Sequence, residues 1–200
     1  MENPIKYKPI TVFRINIDNL KSGWETISLF FNATPITFVA SYIGPEPLSS
    51  LIEAVEALDE EYISGSNESQ YFIDWICEPG CMNISLRRNI LGNQLSLEIK
   101  VSETESLNDS SVRQWNFVMN YSLFREAVID TALSALNKYG ICGFTYNWDT
   151  EGRNIVPVAS LLSIMGLKPY FDKDEGSFKS DFTKEIDVLS SLISRNRIPL

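Results

Sequence analysis

Histidine is absent from all 200 residues of the chain. That absence removes the commonest general base, the usual nitrogen ligand for metals, and the Ser–His and Cys–His nucleophile pairs. Only three cysteines are present, Cys77, Cys81 and Cys142. An odd, small number of this kind suggests no disulfide framework and fits a reducing compartment. No run of about 18 apolar residues exists, so no membrane-spanning helix is expected. The opening residues, Met1-Glu2-Asn3-Pro4-Ile5-Lys6, lack the apolar core of a signal peptide, and a cytoplasmic location is the expectation.

Basic residues are missing from one third of the chain. Between Lys21 and Arg87 stand ten acids and no lysine or arginine: Glu25, Glu46, Glu53, Glu56, Asp59, Glu60, Glu61, Glu68, Asp74 and Glu78. The remainder is close to neutral, so this stretch supplies the whole net charge of −9. A field of that sign repels nucleic acid and anionic lipid and attracts basic partners; it also keeps a protein soluble. Neither nucleic acid nor membrane is therefore an expected partner.

Phosphate loops and metal frameworks are missing too. Gly140-Ile141-Cys142-Gly143 lacks the Lys-Ser/Thr pair of a P-loop and the glycine spacing of a dinucleotide fold. Cys77-Glu78-Pro79-Gly80-Cys81 offers two thiolates, but structural zinc needs four ligands, and three cysteines without histidine do not supply them. Asp172-Lys173-Asp174-Glu175-Gly176 resembles the start of a calcium loop. Placing its glycine at the sixth position puts Phe171 first, where it cannot coordinate, so a solvated turn is the reading. No catalytic residue, metal ligand or cofactor is assigned.

What the sequence does hold is ordinary globular material: 44% hydrophobic residues and 12% aromatics. Strand patterns fill the first 121 residues. Phe13, Ile15 and Ile17 alternate with polar neighbours; Ile27, Leu29 and Phe31 begin a second strand; Ile36 to Ile43 reads as a third, after a turn or bulge over Asn32-Ala33-Thr34-Pro35. Leu48, Leu51, Ile52, Val55 and Leu58 recur at helical spacing, with Pro45 and Pro47 at the entry.

Two linked hairpins follow. Taking Pro79-Gly80 and Gly92-Asn93 as turn centres puts Trp75 opposite Ile84, Ile73 opposite Leu86, Cys77 opposite Met82, Leu86 opposite Ile99 and Ile84 opposite Val101. All these fall on one face, and Arg87 falls opposite Glu98 on the other. Cys77 and Cys81 then point to opposite faces. A strand over Val112 to Tyr121 carries Trp115, Phe117, Met119 and Tyr121 on one side. Ser122 is the expected N-cap of the next helix, which ends at Tyr139-Gly140. Ile141 to Trp148 is ambiguous; Pro157 to Met165 forms a short helix closed by Gly166; Phe182 to Ile193 forms the last. Strands first and helices later predict a single α+β domain over 1–200, an antiparallel meander with about four helices mainly on one side.

Two segments are candidate contact surfaces. Glu53, Glu56, Asp59, Glu60 and Glu61 decorate the exposed side and end of the first helix, and Trp148 with Asp149 sets an aromatic beside an acid near an expected loop. The run Trp75-Ile76-Cys77-Glu78-Pro79-Gly80, the alternating hairpin after it, the Tyr139-Gly140 helix end, Trp148 and Pro157 resemble small bacterial domains, some similar to immunity proteins of polymorphic toxin systems. The likeness covers about residues 46–165. It implies a protein without catalytic residues that binds a cognate toxin, often a basic one. The reading carried forward is a non-catalytic acidic protein that binds a basic partner. Its alternatives are a carboxylate- and metal-dependent hydrolase, and an oligomerisation domain pairing through the Trp115–Tyr121 strand.

Overall fold

A computed structural model describes residues 6–63, 68–78, 80–89, 91–102, 112–148 and 157–195, without the side chains of 61–63, 157, 160 and 192–195. In chain order the elements are β1 (Lys8–Pro9), β2 (Phe13–Lys21), β3 (Trp24–Phe31), β4 (Thr34–Ser41), α1 (Pro47–Ile63), β5 (Glu68–Cys77), β6 (Gly80–Asn89) and β7 (Gln94–Ser102). Then come β8 (Arg113–Asn120), α2 (Tyr121–Tyr139), α3 (Ile141–Trp148), α4 (Pro157–Ile164), β9 (Tyr170–Asp172), β10 (Ser177–Lys179) and α5 (Phe182–Arg195). The class is α+β, as the order of patterns predicts. No described helix is long and apolar enough to cross a membrane.

The chain divides into two compact units. Unit 1 holds residues 1–18 and 25–131, and unit 2 holds 19–24 and 132–200. In unit 1 a five-stranded sheet runs β1-β8-β7-β6-β5, and β2-β3-β4 form a second sheet. The β5–β8 part is the expected antiparallel meander, whereas β1 joins β8 in parallel at Phe117 and Val118. Alternation decides the faces. Ile73 and Trp75, Met82, Ile84 and Leu86, Leu95, Leu97 and Ile99, Phe117 and Met119 all turn to the dry side. There the two sheets meet through stacked rings, Phe31 on Phe117 at 3.9 Å and Phe38 on Trp75 at 4.6 Å between centroids.

The register differs from the expected one by two residues in both hairpins. Trp75 pairs with Met82, Ile73 with Ile84 and Cys77 with Gly80; Ile84 pairs with Ile99 and Leu86 with Leu97. Gly80 is already the first residue of β6, so the first hairpin closes before it rather than around it. The second closes with Asn89 paired to Gln94; Asn93 takes a φ of 46° and Asn89 Oδ1 accepts from Gly92 N. A slip of two keeps every side chain on its face, which is why the hydrophobic pattern could not detect it. The polar pairing does change. Arg87 stands opposite Gln70 and Ser96, Glu98 opposite Ser85, and the expected Arg87–Glu98 pair is not formed. Glu98 instead meets Lys100 of its own strand at 2.6 Å.

Caps also shift. Asn120, not Ser122, caps α2: its Oδ1 accepts from Ser122 N at 2.9 Å. The β3–β4 turn uses Asn32-Ala33, and Thr34 and Pro35 belong to β4. The carbonyl of the Asn32 side chain accepts from Thr11 N and Val12 N, tying down the approach to β2.

Unit 2 is built on α3. Gly140 has a φ of +72° and ends α2 where a residue with a side chain would be strained. Glu185 of α5 is buried and accepts from Ile141 N and Cys142 N, filling the open amides at the start of α3. Asn147 binds Phe178 of β10 in both directions: its Nδ2 donates to Phe178 O and its Oδ1 accepts from Phe178 N. Around Cys142, Ala159 and Leu162 gather Ile141, Leu167, Val188 and Leu189. The short β9–β10 hairpin was not expected. Its turn is the Asp172–Gly176 segment, where Asp172 Oδ1 accepts from Asp174 N and Glu175 N, and Lys179 pairs with Asp172 and Glu175.

Candidate binding surface on helix α1

Helix α1 exists because its apolar residues share one stripe and its first turn is capped. Leu48, Leu51, Ala54 and Leu58 are buried. Pro47 occupies the first helical position, and the Glu46 carboxylate accepts from Leu48 N at 2.7 Å and Ser49 N at 2.6 Å. Glutamate in this role adds negative charge at the positive end of the helix dipole. The opposite face carries Glu53, Glu56 and Glu60, three exposed residues at spacings of three and four, hence one line along the helix. Among the described residues none of the three forms an ion pair; Glu53 accepts from the Tyr71 hydroxyl at 3.4 Å. Glu61 lies in α1 with its side chain outside the described ones.

Asp59 leaves that line. Its Oδ1 accepts from Arg88 Nη1 at 3.0 Å and from the Tyr121 hydroxyl at 3.0 Å, and its Oδ2 accepts from Arg125 Nε at 3.1 Å. Arg88 is a buried arginine on the dry face of β6. It donates further to Leu58 O at 2.8 Å and lays its guanidinium over the Tyr121 ring. Burial pushes the Tyr121 hydroxyl well above the usual phenol range, and the bond to Asp59 and its charge add to that, against the two arginines. Beside this cluster is a cleft of about 350 Å³.

The ten acids of the base-free stretch are thus not one patch. Glu25 is wholly buried on β3, beside the carboxylate of Glu46. Burial first, and the Glu46 charge second, hold its carboxyl well above the ordinary glutamate range. Glu46 is a cap, Glu78 accepts from Ser41 Oγ, Asp74 accepts from Asn83 Nδ2, and Asp59 is braced by two arginines. Three-dimensional pairing of this kind leaves little trace in the order of residues. A single mark was available: Arg88 sits at an inward-facing strand position, where a charge requires a partner.

Trp148 is 6% exposed inside unit 2, and its position ends α3 instead of lying in a loop. Among the described residues the exposed aromatics of that unit are Trp24, Tyr146, Tyr170 and Phe171. Asp149 lies outside the described residues. Two other readings can be placed. Among the described residues no three His, Cys, Asp or Glu side chains gather as a metal site would require. The Trp115–Tyr121 strand, β8, lies between β7 and β1, so it is not a free sheet edge at Phe117 and Val118. Set against known protein families, curated proteins and solved structures, the chain matches none of them.

Proposed function

We propose that the chain is a non-catalytic acidic binding protein that meets a basic protein through α1, in the manner of an immunity protein that neutralises a basic toxin. The observation that carries this reading is the line of Glu53, Glu56 and Glu60 on the exposed face of α1. Its setting reinforces it. Unit 1 holds eighteen acids against eight bases, and unit 2 is near neutrality, with eight against nine. A negative field of that size steers a basic partner into encounter and raises the association rate more than it lowers the dissociation rate. Asp59 contributes by holding the cleft together, not by facing a partner.

The test uses the product of the adjacent reading frame, since immunity genes lie beside those of their toxins. Association of the full chain with that protein should slow steeply between low and physiological salt. The triple variant Glu53→Gln, Glu56→Gln, Glu60→Gln should lose at least about tenfold in association rate at low salt. A salt-insensitive rate, or a triple variant that associates like the parent, overturns the reading.

A further inference from the structure

The cleft beside α1 has the opposite chemistry to the acidic line. Its walls include Asp59, Arg88, Asn93, Tyr121, Ser122 and Arg125. Two guanidiniums share one carboxylate there, and Glu126 at the outer wall brings the lining to neutrality within a strongly acidic unit. Asp59 does not need both. Arg88 and Tyr121 already fill its Oδ1, and Arg125 reaches Oδ2 through Nε alone. The Nη1 and Nη2 groups of Arg125 make no hydrogen bond with any described residue, and the side chain is about half exposed at the cleft wall. A guanidinium whose Nε is fixed by a carboxylate presents its remaining edge in a set orientation, the geometry suited to an oxyanion.

Helix α2 and Ser122 add donors to the same cleft, and Glu126 opposes them. Helix α2 begins in the cleft, with Tyr121 and Ser122 as its first two residues, and helix starts carry partial positive charge. Ser122 Oγ accepts from Asn93 Nδ2 at 3.2 Å, which leaves its hydroxyl hydrogen to donate. Glu126 is the opposing group; it is exposed at the wall, where solvent screens it.

We propose that this cleft is a binding site for a small oxyanion, the carboxylate or phosphate group of a small molecule. Arg125 Nη1 and Nη2 and the Ser122 hydroxyl donate to it, and Asp59 positions the guanidinium. A volume of about 350 Å³ holds more than the anionic group, so a modest organic body fits with it. The site is independent of the basic-partner reading, because it uses other residues and a ligand of the opposite charge.

Amide NMR titration of the full chain tests it, with inorganic phosphate in one arm, acetate in the other, and sodium chloride at matched ionic strength as the blank. Saturable shifts confined to Asn93, Ser122, Arg125 and their neighbours are expected in at least one arm. The arm that saturates at lower concentration names the source of the oxyanion. Arg125→Gln, on an exposed side chain, should weaken that binding at least about tenfold while the rest of the spectrum stays in place. Glu126→Gln should strengthen it. Shifts that match the chloride blank, that spread over the lysines without saturating, or that persist unchanged in Arg125→Gln overturn the proposal.

Discussion

The guanidinium carbon of Arg88 lies 3.7 Å from the centre of the Tyr121 ring, and both side chains bind the same oxygen of Asp59. The contact joins three elements, α1, β6 and the start of α2, at one point in unit 1. A cation on a ring face and a charge-assisted hydrogen bond act together there, under partial exclusion of water.

Truncation at this point should be costly. Arg88→Ala removes the buried partner of Asp59, the donor to Leu58 O and the cover over Tyr121. A loss of about 2 kcal/mol is expected, because the carboxylate left behind is partly exposed and keeps Arg125. Glu60→Gln, on the exposed face of the same helix, should stay within about 0.5 kcal/mol. Urea unfolding of the two variants checks the contrast.

Glu25 makes stability depend on pH in the direction opposite to most acidic groups. Its folded-state pKa is raised, by burial and then by Glu46, so the folded chain retains a proton that the unfolded chain has released. Stability from this group is complete below the ordinary glutamate pKa. It declines as pH rises from there through the raised folded value. Glu46, the charged group facing Glu25 among the described residues, sits at the head of α1 and strengthens the effect. Glu25→Gln should flatten that decline, leaving the variant more stable relative to the parent at pH 8 than at pH 4. Thermal melts across that range read the difference.

Gly143 is required by packing. A Cβ at this position would stand 2.7 Å from Lys179 Cα and 2.9 Å from Ser180 N, both backbone atoms that cannot swing away. Gly143→Ala should therefore separate α3 from β10 and cost about 1–3 kcal/mol, the range for overpacking. Amide exchange should show lost protection at Asn147 and Phe178, whose mutual hydrogen bonds depend on that approach. Unchanged protection there would sink the account.

Cys142 should be inert in the folded chain. Burial pushes its thiol up to about 12, and the bond to Glu185 and its charge push the same way. Because the thiolate is the reactive form, alkylation at pH 8 should be slow until unit 2 opens. Cys77 is raised to about 11 by burial first and the neighbouring Cys81 second, so it should also react slowly. Mass spectrometry after timed alkylation, with and without denaturant, measures both.

Much of the fold is legible in the sequence. Alternation located β2 to β8, helical spacing located α1, α2, α4 and α5, and Gly140 and Gly166 stand with positive φ at the helix ends where they were expected. The sheet register was not legible, because a two-residue slip preserves the face of every side chain and only the turn geometry distinguishes the alternatives. Helix α3 and the β9–β10 hairpin were obscured by their length: eight and three residues give too few periods to separate helix from strand. Of the candidate contact residues, Glu53, Glu56 and Glu60 stand together on the exposed face, while Trp148 is packed inside and Asp59 is bound to arginines.

The sequence alone determined the α+β class, the faces of the strands, the lack of histidine chemistry and the concentration of acid in one third of the chain. Each is a property of composition or local periodicity, which burial of apolar surface converts directly into structure. The tertiary structure decided which of those acids remain free to meet another molecule. Arg88 and Arg125 come to Asp59 from 29 and 66 residues away, and Glu25 is carried into the interior by its strand. Charge acts through space with a reach of several ångströms, so its partners are fixed by the folded path and not by chain order.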